Sequence, residues 1–262
     1  MRDVEMKQDG SVLTVALNRP ETHNAMTPDM IQSLIAIFNE LPDRDDVRVV
    51  VLTGNGRSFC AGADLNYMRA AADYDFADNV RDGRIIFDLM QTINECPQPV
   101  VGRVMGAIIG GGMGLVSCCD IVVSADRATF GLSEVRLGIL PAVISPFVLA
   151  KVGMSNGRQL FLTGERFNAQ QAQAYGLVHH AVPEDELDIK VAERVQQLLQ
   201  AAPDAQATGK KLLQYLATSP AQNELKEYTA NLIASRRASN EGKEGMTAFL
   251  EKRPPYWQQN SK

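Results

Sequence analysis

The sequence predicts an α/β fold that ends in a helical segment, and three observations carry this prediction. Short β-branched runs alternate with helix-periodic stretches through the first two thirds of the chain. One of those runs is almost entirely apolar, which is typical of a strand in a parallel sheet that helices cover on both faces. From about Glu184 onward the strand patterns stop and only helical patterns remain.

The first elements show the alternation clearly. Residues 12–17 are rich in β-branched side chains and predict a strand. A helix should follow, because Thr27 can cap its N-terminus, Pro28 suits the first helical position, and apolar residues then recur with the helical period. Residues 47–53 form the nearly all-apolar run and predict the second strand.

The alternation continues through the middle of the chain. Glycines over residues 110–114 predict a turn there rather than a regular element. The other predicted elements are helices over residues 65–72, 76–94 and 115–119 and strands over residues 100–105 and 121–124.

The C-terminal part of the chain is predicted to be helical. We divide the chain into an α/β core, residues 1–200, and a helical oligomerisation segment, residues 201–262. Helices that carry apolar side chains away from a sheet need another surface to bury them, and a second subunit can provide it. The four predicted helices cover residues 186–199, 204–218, 221–239 and 243–251.

The composition excludes several classes of protein. The chain has 262 residues, 45% of them hydrophobic, and a net charge of −5 without a block of basic residues, so nucleic acid is an unlikely main partner. No uncharged run reaches the roughly 20 residues that a membrane span needs. The three histidines and four cysteines show no metal-ligand spacing, and no secretory signal is evident, so we expect no metal site and a cytoplasmic location.

Two glycine-rich turns, residues 54–65 and 106–114, each follow a strand and precede a helix. Backbone N–H groups at such positions are free donors that can bind an anion or a developing oxyanion. The glycines can equally serve only to make tight turns, and neither turn matches a nucleotide-binding pattern. The residues alone leave both interpretations open.

One carboxylate stands out by its surroundings. Glu134 is flanked by Leu132, Val135 and further apolar residues. Partial burial would raise its pKa toward neutrality and suit it to proton transfer. Most glutamates are solvated or structural, so this signal needs support from other parts of the sequence.

Taken in order, these segments resemble the enoyl-CoA hydratase/isomerase (crotonase) family over essentially the whole chain. The matching stretches are Asn18-Arg19-Pro20 with Asn24-Ala25-Met26, Gly54 to Leu65, Gly106 to Asp120, Glu134 to Pro141, Leu162 to Val178, and Glu244 to Pro254. The resemblance implies a spiral of ββα units with two roughly perpendicular sheets. It also implies C-terminal helices that build homotrimers or homohexamers, and an acyl-CoA substrate that brings its own coenzyme A, with no separate cofactor.

The resemblance assigns expected roles to individual residues. The backbone amides of Ala63 and Gly111 would hold the thioester oxygen, and Glu134 would transfer protons. Coenzyme A would lie along Ala25, three positions of the first turn and two positions near the C-terminus, the latter reached from a neighbouring subunit. These six positions are Ala25, Ala61, Asp64, Leu65, Phe249 and Lys252.

The sequence departs from the two-glutamate hydratases at one position, since Gly114 stands where their first glutamate would be. A hydratase and a double-bond isomerase with a single glutamate both remain open, as does a non-catalytic oligomer that binds a CoA thioester or RNA. Residues 132–146 and 63–68, together with Tyr74, Asn79 and Asp82, are similar to bacterial methylglutaconyl-CoA hydratases and their relatives that act on isoprenoid glutaconyl-CoA. This similarity favours hydration of a branched glutaconyl-CoA, as in leucine or isoprenoid breakdown.

Overall fold

The computed structural model describes residues 3–259 of the chain. The strands are β1 (Val4–Asp9), β2 (Val12–Leu17), β3 (Val49–Gly54), β4 (Val100–Val104), β5 (Ala107–Ile109), β6 (Ile121–Ala125), β7 (Thr129–Gly131), β8 (Arg166–Asn168) and β9 (His180–Val182). The helices are α1 (Pro28–Glu40), α2 (Leu65–Ala72), α3 (Phe76–Glu95), α4 (Gly111–Ser117), α5 (Ser145–Thr163), α6 (Ala169–Ala174), α7 (Leu187–Leu199), α8 (Pro203–Ala217), α9 (Gln222–Ala238), α10 (Asn240–Leu250) and α11 (Tyr256–Gln259). The predicted α/β class and the helical C-terminal segment are confirmed.

The strands form two sheets. A six-stranded sheet has the order β1-β2-β3-β4-β6-β9, in which β1 is antiparallel to β2 and the later neighbours pair in parallel. A three-stranded sheet has the order β5-β7-β8. Parallel neighbours require crossover connections, so each glycine turn lies between a strand of the large sheet and the next helix or short strand.

The large sheet is covered on both faces, as the apolar run predicted. All six residues of β3 are buried. One face packs against the main core, which includes Val50 and Leu52, while the other packs Val49 and Val51 against α7. Alternate side chains of a strand point to opposite faces, so both faces of β3 need apolar residues.

The prediction of a turn over residues 110–114 was wrong, because helix α4 already begins at Gly111. Glycine has poor helix propensity, so the pattern concealed the helix. Close packing explains why glycine occurs in this helix: a Cβ added at Gly112 would lie 2.6 Å from the Cys60 carbonyl oxygen. The glycines allow the helix to approach the first turn, which larger residues would prevent.

The C-terminal helices attach to the core through α8. Lys210 forms an ion pair with Asp120 at 2.7 Å, and the Gln214 side chain donates to the Asn94 carbonyl. Within residues 3–259, each helix is too short or too polar to traverse a lipid bilayer. Several large apolar side chains of this segment are exposed in the single chain, namely Leu213, Leu216, Ile233, Met246, Phe249 and Leu250.

Candidate functional site

The two glycine turns lie side by side, joined by backbone hydrogen bonds. The Cys60 amide donates to the Ala107 carbonyl at 3.0 Å, and the Ile109 amide donates to the Cys60 carbonyl at 3.0 Å. A Cβ added at Gly106 would lie only 1.9 Å from the Arg57 carbonyl oxygen. The contact between the turns therefore requires glycine at this position.

A third segment, residues 23–26, pairs with the first turn. The Ala61 amide donates to the His23 carbonyl, the Met26 amide donates to the Gly62 carbonyl at 2.7 Å, and the Asp64 amide donates to the Met26 carbonyl at 2.9 Å. His23 and Asn24 both have left-handed backbones, with φ of 53° and 56°, which is uncommon outside glycine. The fully buried Asn24 holds this turn, because its side chain donates to the carbonyls of Asn55 and Ser58.

This pairing leaves the Ala63 amide free. Met26 and Ala63 form an isolated parallel bridge whose two hydrogen bonds use the groups of Gly62 and Asp64. The N–H of Ala63 itself is therefore directed away from residue 26. Ala63 is exposed, and within residues 3–259 its amide has no acceptor.

The Gly111 amide is free for a different reason. Gly111 is the first residue of α4, and the first N–H groups of a helix have no intrahelical partner. The preceding Gly110 amide donates to the Gly131 carbonyl at 2.9 Å, while the Met113 amide donates back to Gly110. Among the residues that the structure describes, nothing accepts from the Gly111 amide.

Glu134 brings its carboxylate to the place where the turns meet. It begins a 3₁₀ turn, Glu134–Leu137, just after β7. A Cβ added at Gly110 would lie 3.1 Å from Glu134 Oε1 and 3.9 Å from Gly62 Cα. The carboxylate thus lies against Gly110 of the second turn, at a point that the first turn also approaches.

The electrostatic state of Glu134 suits proton transfer. Its Oε2 atom is buried and has no hydrogen-bond partner within the described part of the chain. Burial raises the pKa of the carboxyl above its ordinary 4.5, and a hydrogen bond with its own backbone opposes this only in part. A carboxylate with an unpartnered oxygen and a raised pKa can act as a general base near neutral pH.

The surroundings of Gly114 are apolar and closely packed. A Cβ added at Gly114 would lie 2.5 Å from Ile144 Cγ2 and 3.0 Å from both Met90 Cε and Sδ. Met90 is fully buried and Ile144 is 4% exposed. Apolar side chains therefore occupy the space next to Gly114.

The four expected coenzyme positions near the first turn differ in their surroundings. Ala25 is buried and its carbonyl accepts from Arg19, while the exposed Leu65 begins α2. The Asp64 carboxylate caps α2 by accepting from the amides of Asn66 and Tyr67, and it forms an ion pair with Arg19 at 3.0 Å. The bond from the Asn66 amide and the Arg19 guanidinium lower the pKa of Asp64. Ala61 is half-buried and donates to His23.

The two expected positions near the C-terminus lie apart from the turns in the single chain. Phe249 is 82% exposed near the end of α10, and Lys252 follows it with a left-handed backbone. Within residues 3–259, no hydrogen bond or ion pair connects either residue to the glycine turns. Their expected contact with coenzyme A from a neighbouring subunit stays a prediction.

Sequence reasoning missed several residues that shape the site. Met26 contacts both turns, Arg19 holds Asp64 in place, and Met90 and Ile144 fill the space beside Gly114. Met26 and Arg19 could have been found from the sequence, because both lie in the stretches around Asn24 that resemble the family together with the two turns. No local pattern marked Met90, and the similarity of residues 132–146 gave Ile144 no role beside Gly114, since both side chains approach Gly114 only in the folded chain.

Comparisons with known proteins find one family over nearly the whole chain. The model of the family described as enoyl-CoA hydratase/isomerase matches residues 7–260. The 2,3-dehydroadipyl-CoA hydratase of Escherichia coli is 33% identical over 97% of this chain and 98% of its own length. The crystal structure of an enoyl-CoA hydratase from Shewanella pealeana has a TM-score of 0.94 at 37% identity and covers 97% of this chain and 96% of that one.

A further solved structure, Pseudomonas aeruginosa AtuE, has a TM-score of 0.94 at 37% identity. It covers 98% of this chain and 100% of that one. Similarity of this extent confirms the expected crotonase-like α/β fold.

Proposed function

The chain belongs to the enoyl-CoA hydratase/isomerase family, and from this premise we propose that it adds water across the 2,3 double bond of a branched enoyl-CoA. The preferred substrate is 3-methylglutaconyl-CoA or a related branched glutaconyl-CoA. The observation that carries the proposal is the buried, unpartnered Oε2 of Glu134 beside two turns that each offer a free amide.

The proposed reaction uses these groups in sequence. The Ala63 and Gly111 amides donate to the thioester oxygen and stabilise the enolate that forms when hydroxide adds to C3. Glu134 accepts a proton from the attacking water as the C3–O bond forms. The enolate then collapses, C2 takes the proton back from Glu134, and the carboxylate is regenerated. Water is thus added as H at C2 and OH at C3.

The branched glutaconyl substrate rests on the similarity of residues 132–146 and 63–68 to methylglutaconyl-CoA hydratases. The E. coli relative also acts, by its name, on an enoyl thioester that ends in a carboxylate. A distal carboxylate favours a cation in the acyl pocket. The sequence offers Arg69, Arg81 and Arg84 on the helices that follow the first turn.

Arg84 is the strongest of these three candidates. Arg69 donates to Asn66 and Arg81 pairs with Asp78, whereas within residues 3–259 the Arg84 side chain has no such partner. Arg84→Ala should raise the KM for 3-methylglutaconyl-CoA about tenfold and leave the KM for crotonyl-CoA unchanged. Arg81→Ala on the same helix is the matched control: the ion pair with Asp78 already occupies the Arg81 guanidinium, so we expect neither KM to change. Equal effects on both substrates would remove Arg84 from substrate recognition.

Turnover in ¹⁸O water tests the reaction type. A panel of enoyl-CoA thioesters is incubated with the protein in ¹⁸O water, and the product masses are measured by mass spectrometry. One ¹⁸O atom in a 3-hydroxyacyl product supports hydration. The filled position at Gly114 favours one alternative, an isomerase with a single carboxylate, which would convert a 3-enoyl to a 2-enoyl thioester without ¹⁸O. No turnover of any thioester, together with an RNA gel shift, would favour a non-catalytic binding protein.

We also propose a homotrimer or homohexamer that works in a reducing cytoplasm. The exposed apolar side chains of α8 to α10, with Phe249 among them, support assembly through the C-terminal segment. Each of the four cysteines is buried and unpaired, which is compatible with a reducing compartment. Light scattering after size-exclusion chromatography gives the mass, and a monomer would contradict the assembly.

A further inference from the structure

Met26 contacts both turns that carry the proposed donors. Its amide donates to the Gly62 carbonyl and its carbonyl accepts from the Asp64 amide, so its main chain fixes the peptide groups on each side of Ala63. Its side chain reaches the second turn, because a Cβ added at Gly111 would lie 2.0 Å from Met26 Cε and 3.5 Å from Sδ. Met26 is 3% exposed, so this contact is enclosed by the core.

We propose that Met26 is a positioning residue that sets the separation of the two oxyanion donors, a role that rests on the function proposed above. Its main chain orients the Ala63 amide, and its side chain supports the Gly111 amide. Neither donor needs to touch the other for their geometry to be coupled through this residue. Met26 would not contact the reacting atoms, so it acts only through Ala63 and Gly111.

The side-chain contact matters because Gly111 has no side chain of its own to lock it in place. Its position depends on the hydrogen bonds of its neighbours and on the atoms packed against it. Misplacing a catalytic group by about 1 Å can lower a rate by about 10²-fold. A cavity beside Gly111 would permit a displacement of that kind, since packed interiors relax partly into voids.

The first test compares Met26→Ala with Met30→Ala. Met30 is a fully buried methionine of α1 in the same apolar core, so both variants lose similar packing. We expect Met26→Ala to lower kcat about 10- to 100-fold with KM changed less than about threefold, which follows from weaker binding of the enolate than of the substrate. Met30→Ala should lose stability and keep kcat. Met26→Leu retains atoms near the Sδ position and should recover most of kcat.

A second readout does not require turnover. Bound 4-(dimethylamino)cinnamoyl-CoA absorbs at longer wavelength when hydrogen bonds polarise its thioester carbonyl. The wild-type protein and Met30→Ala should show the full red shift, and Met26→Ala should show a smaller one. A wild type that gives the red shift but hydrates no thioester would contradict the proposed reaction and leave the role of Met26 to be judged from the spectra alone.

A double variant tests the specific contact and protects the test against poor folding of Met26→Ala. In Gly111→Ala the new methyl group collides with Met26 Cε, so kcat should fall. In Met26→Ala/Gly111→Ala the methyl fills the space that the side chain leaves, and kcat should exceed that of either single variant. Non-additive effects of this kind are expected for residues in contact and not for distant, independent sites.

The proposal is overturned if Met26→Ala matches Met30→Ala in kcat and red shift. It is also overturned if the effects of residues 26 and 111 simply add in the double variant. If Met26→Ala does not fold, the double variant is compared with Gly111→Ala alone, and a kcat and red shift no larger than those of Gly111→Ala would overturn the proposal.

Discussion

Positions 134 and 114 both belong to the neighbourhood of the glycine turns, but their surroundings are opposite in character. At position 134 a buried carboxylate oxygen lies without a partner among the described residues. At position 114 the side chains of Ile144 and Met90 leave no room even for a Cβ. One position keeps an uncompensated polar group, and the other is part of the apolar core.

The difference supports the proposed catalytic role of position 134 and offers no such role to position 114. A buried carboxylate oxygen without a hydrogen-bond partner lowers stability, and this supports a functional reason for keeping Glu134. Packing at Gly114 does the reverse, since it stabilises the fold and excludes a second carboxylate. The surroundings of Gly114 therefore suit glycine, and a larger side chain there would require Ile144 and Met90 to shift.

The largest expected effect is on catalysis. Glu134→Gln should lower kcat by about 10²- to 10⁴-fold, because the amide cannot take the proton from water. Binding of the cinnamoyl thioester should persist, since the two donors are unchanged. Steady-state kinetics and a titration measure the two quantities. A variant with the kcat of the wild type would remove Glu134 from the mechanism.

A substitution at the closely packed Gly114 should lower the free energy of unfolding. Gly114→Ala should destabilise the fold by about 1–3 kcal/mol, because its Cβ collides with Ile144 and Met90. Gly209→Ala in α8 is the matched control: a Cβ there meets nothing within 4 Å, so the substitution should stabilise by about 0.5–1 kcal/mol. Urea unfolding compares the two, and equal changes would contradict the packing described at Gly114.

The pH dependence of the rate should reflect the burial of Glu134. Because burial raises its pKa, the acid limb of kcat/KM should lie above the ordinary glutamate value of 4.5. The limb falls on the acid side because protonation removes the general base. The residual activity of Glu134→Gln should lack this limb, and an unchanged limb in that variant would assign it to another group.

The smallest effect should be a gain in stability. The pKa of the Glu134 carboxyl is higher in the folded than in the unfolded protein, so the folded state binds the proton more tightly. The loss of folding stability caused by its ionisation is therefore absent at pH values well below 4.5, and it grows as the pH rises to the pKa of the folded state. Glu134→Gln should therefore have a slightly higher Tm than the wild type at neutral pH and a similar Tm in acid. A constant difference at all pH values would show that the carboxyl titrates normally.

Strong local patterns made the large elements predictable. The β-branched runs located β2, β3, β4 and β6, and α2 was predicted over its observed residues. Strand β1 carried no signal, because five of its six residues are exposed and only Val4 is buried. The three-residue strands, such as β5 and β7, are too short for a period to show.

The site was predictable only as a set of segments. The residues of both turns and Glu134 could be named, and the folded chain brings them together. The packing of Met90 and Ile144 against Gly114 could not be predicted, since the two residues lie in different parts of the sequence and meet only through tertiary packing. The ion pair between Arg19 and Asp64 could not be predicted for the same reason.

The meeting of residues 26, 63, 111 and 134 also has a kinetic consequence. These residues are brought together by crossovers between parallel strands, so their contacts join distant parts of the chain. Folds of high contact order form slowly, whereas helices form on much shorter timescales. During refolding from denaturant, helical circular dichroism should thus recover before any ability to polarise a thioester does.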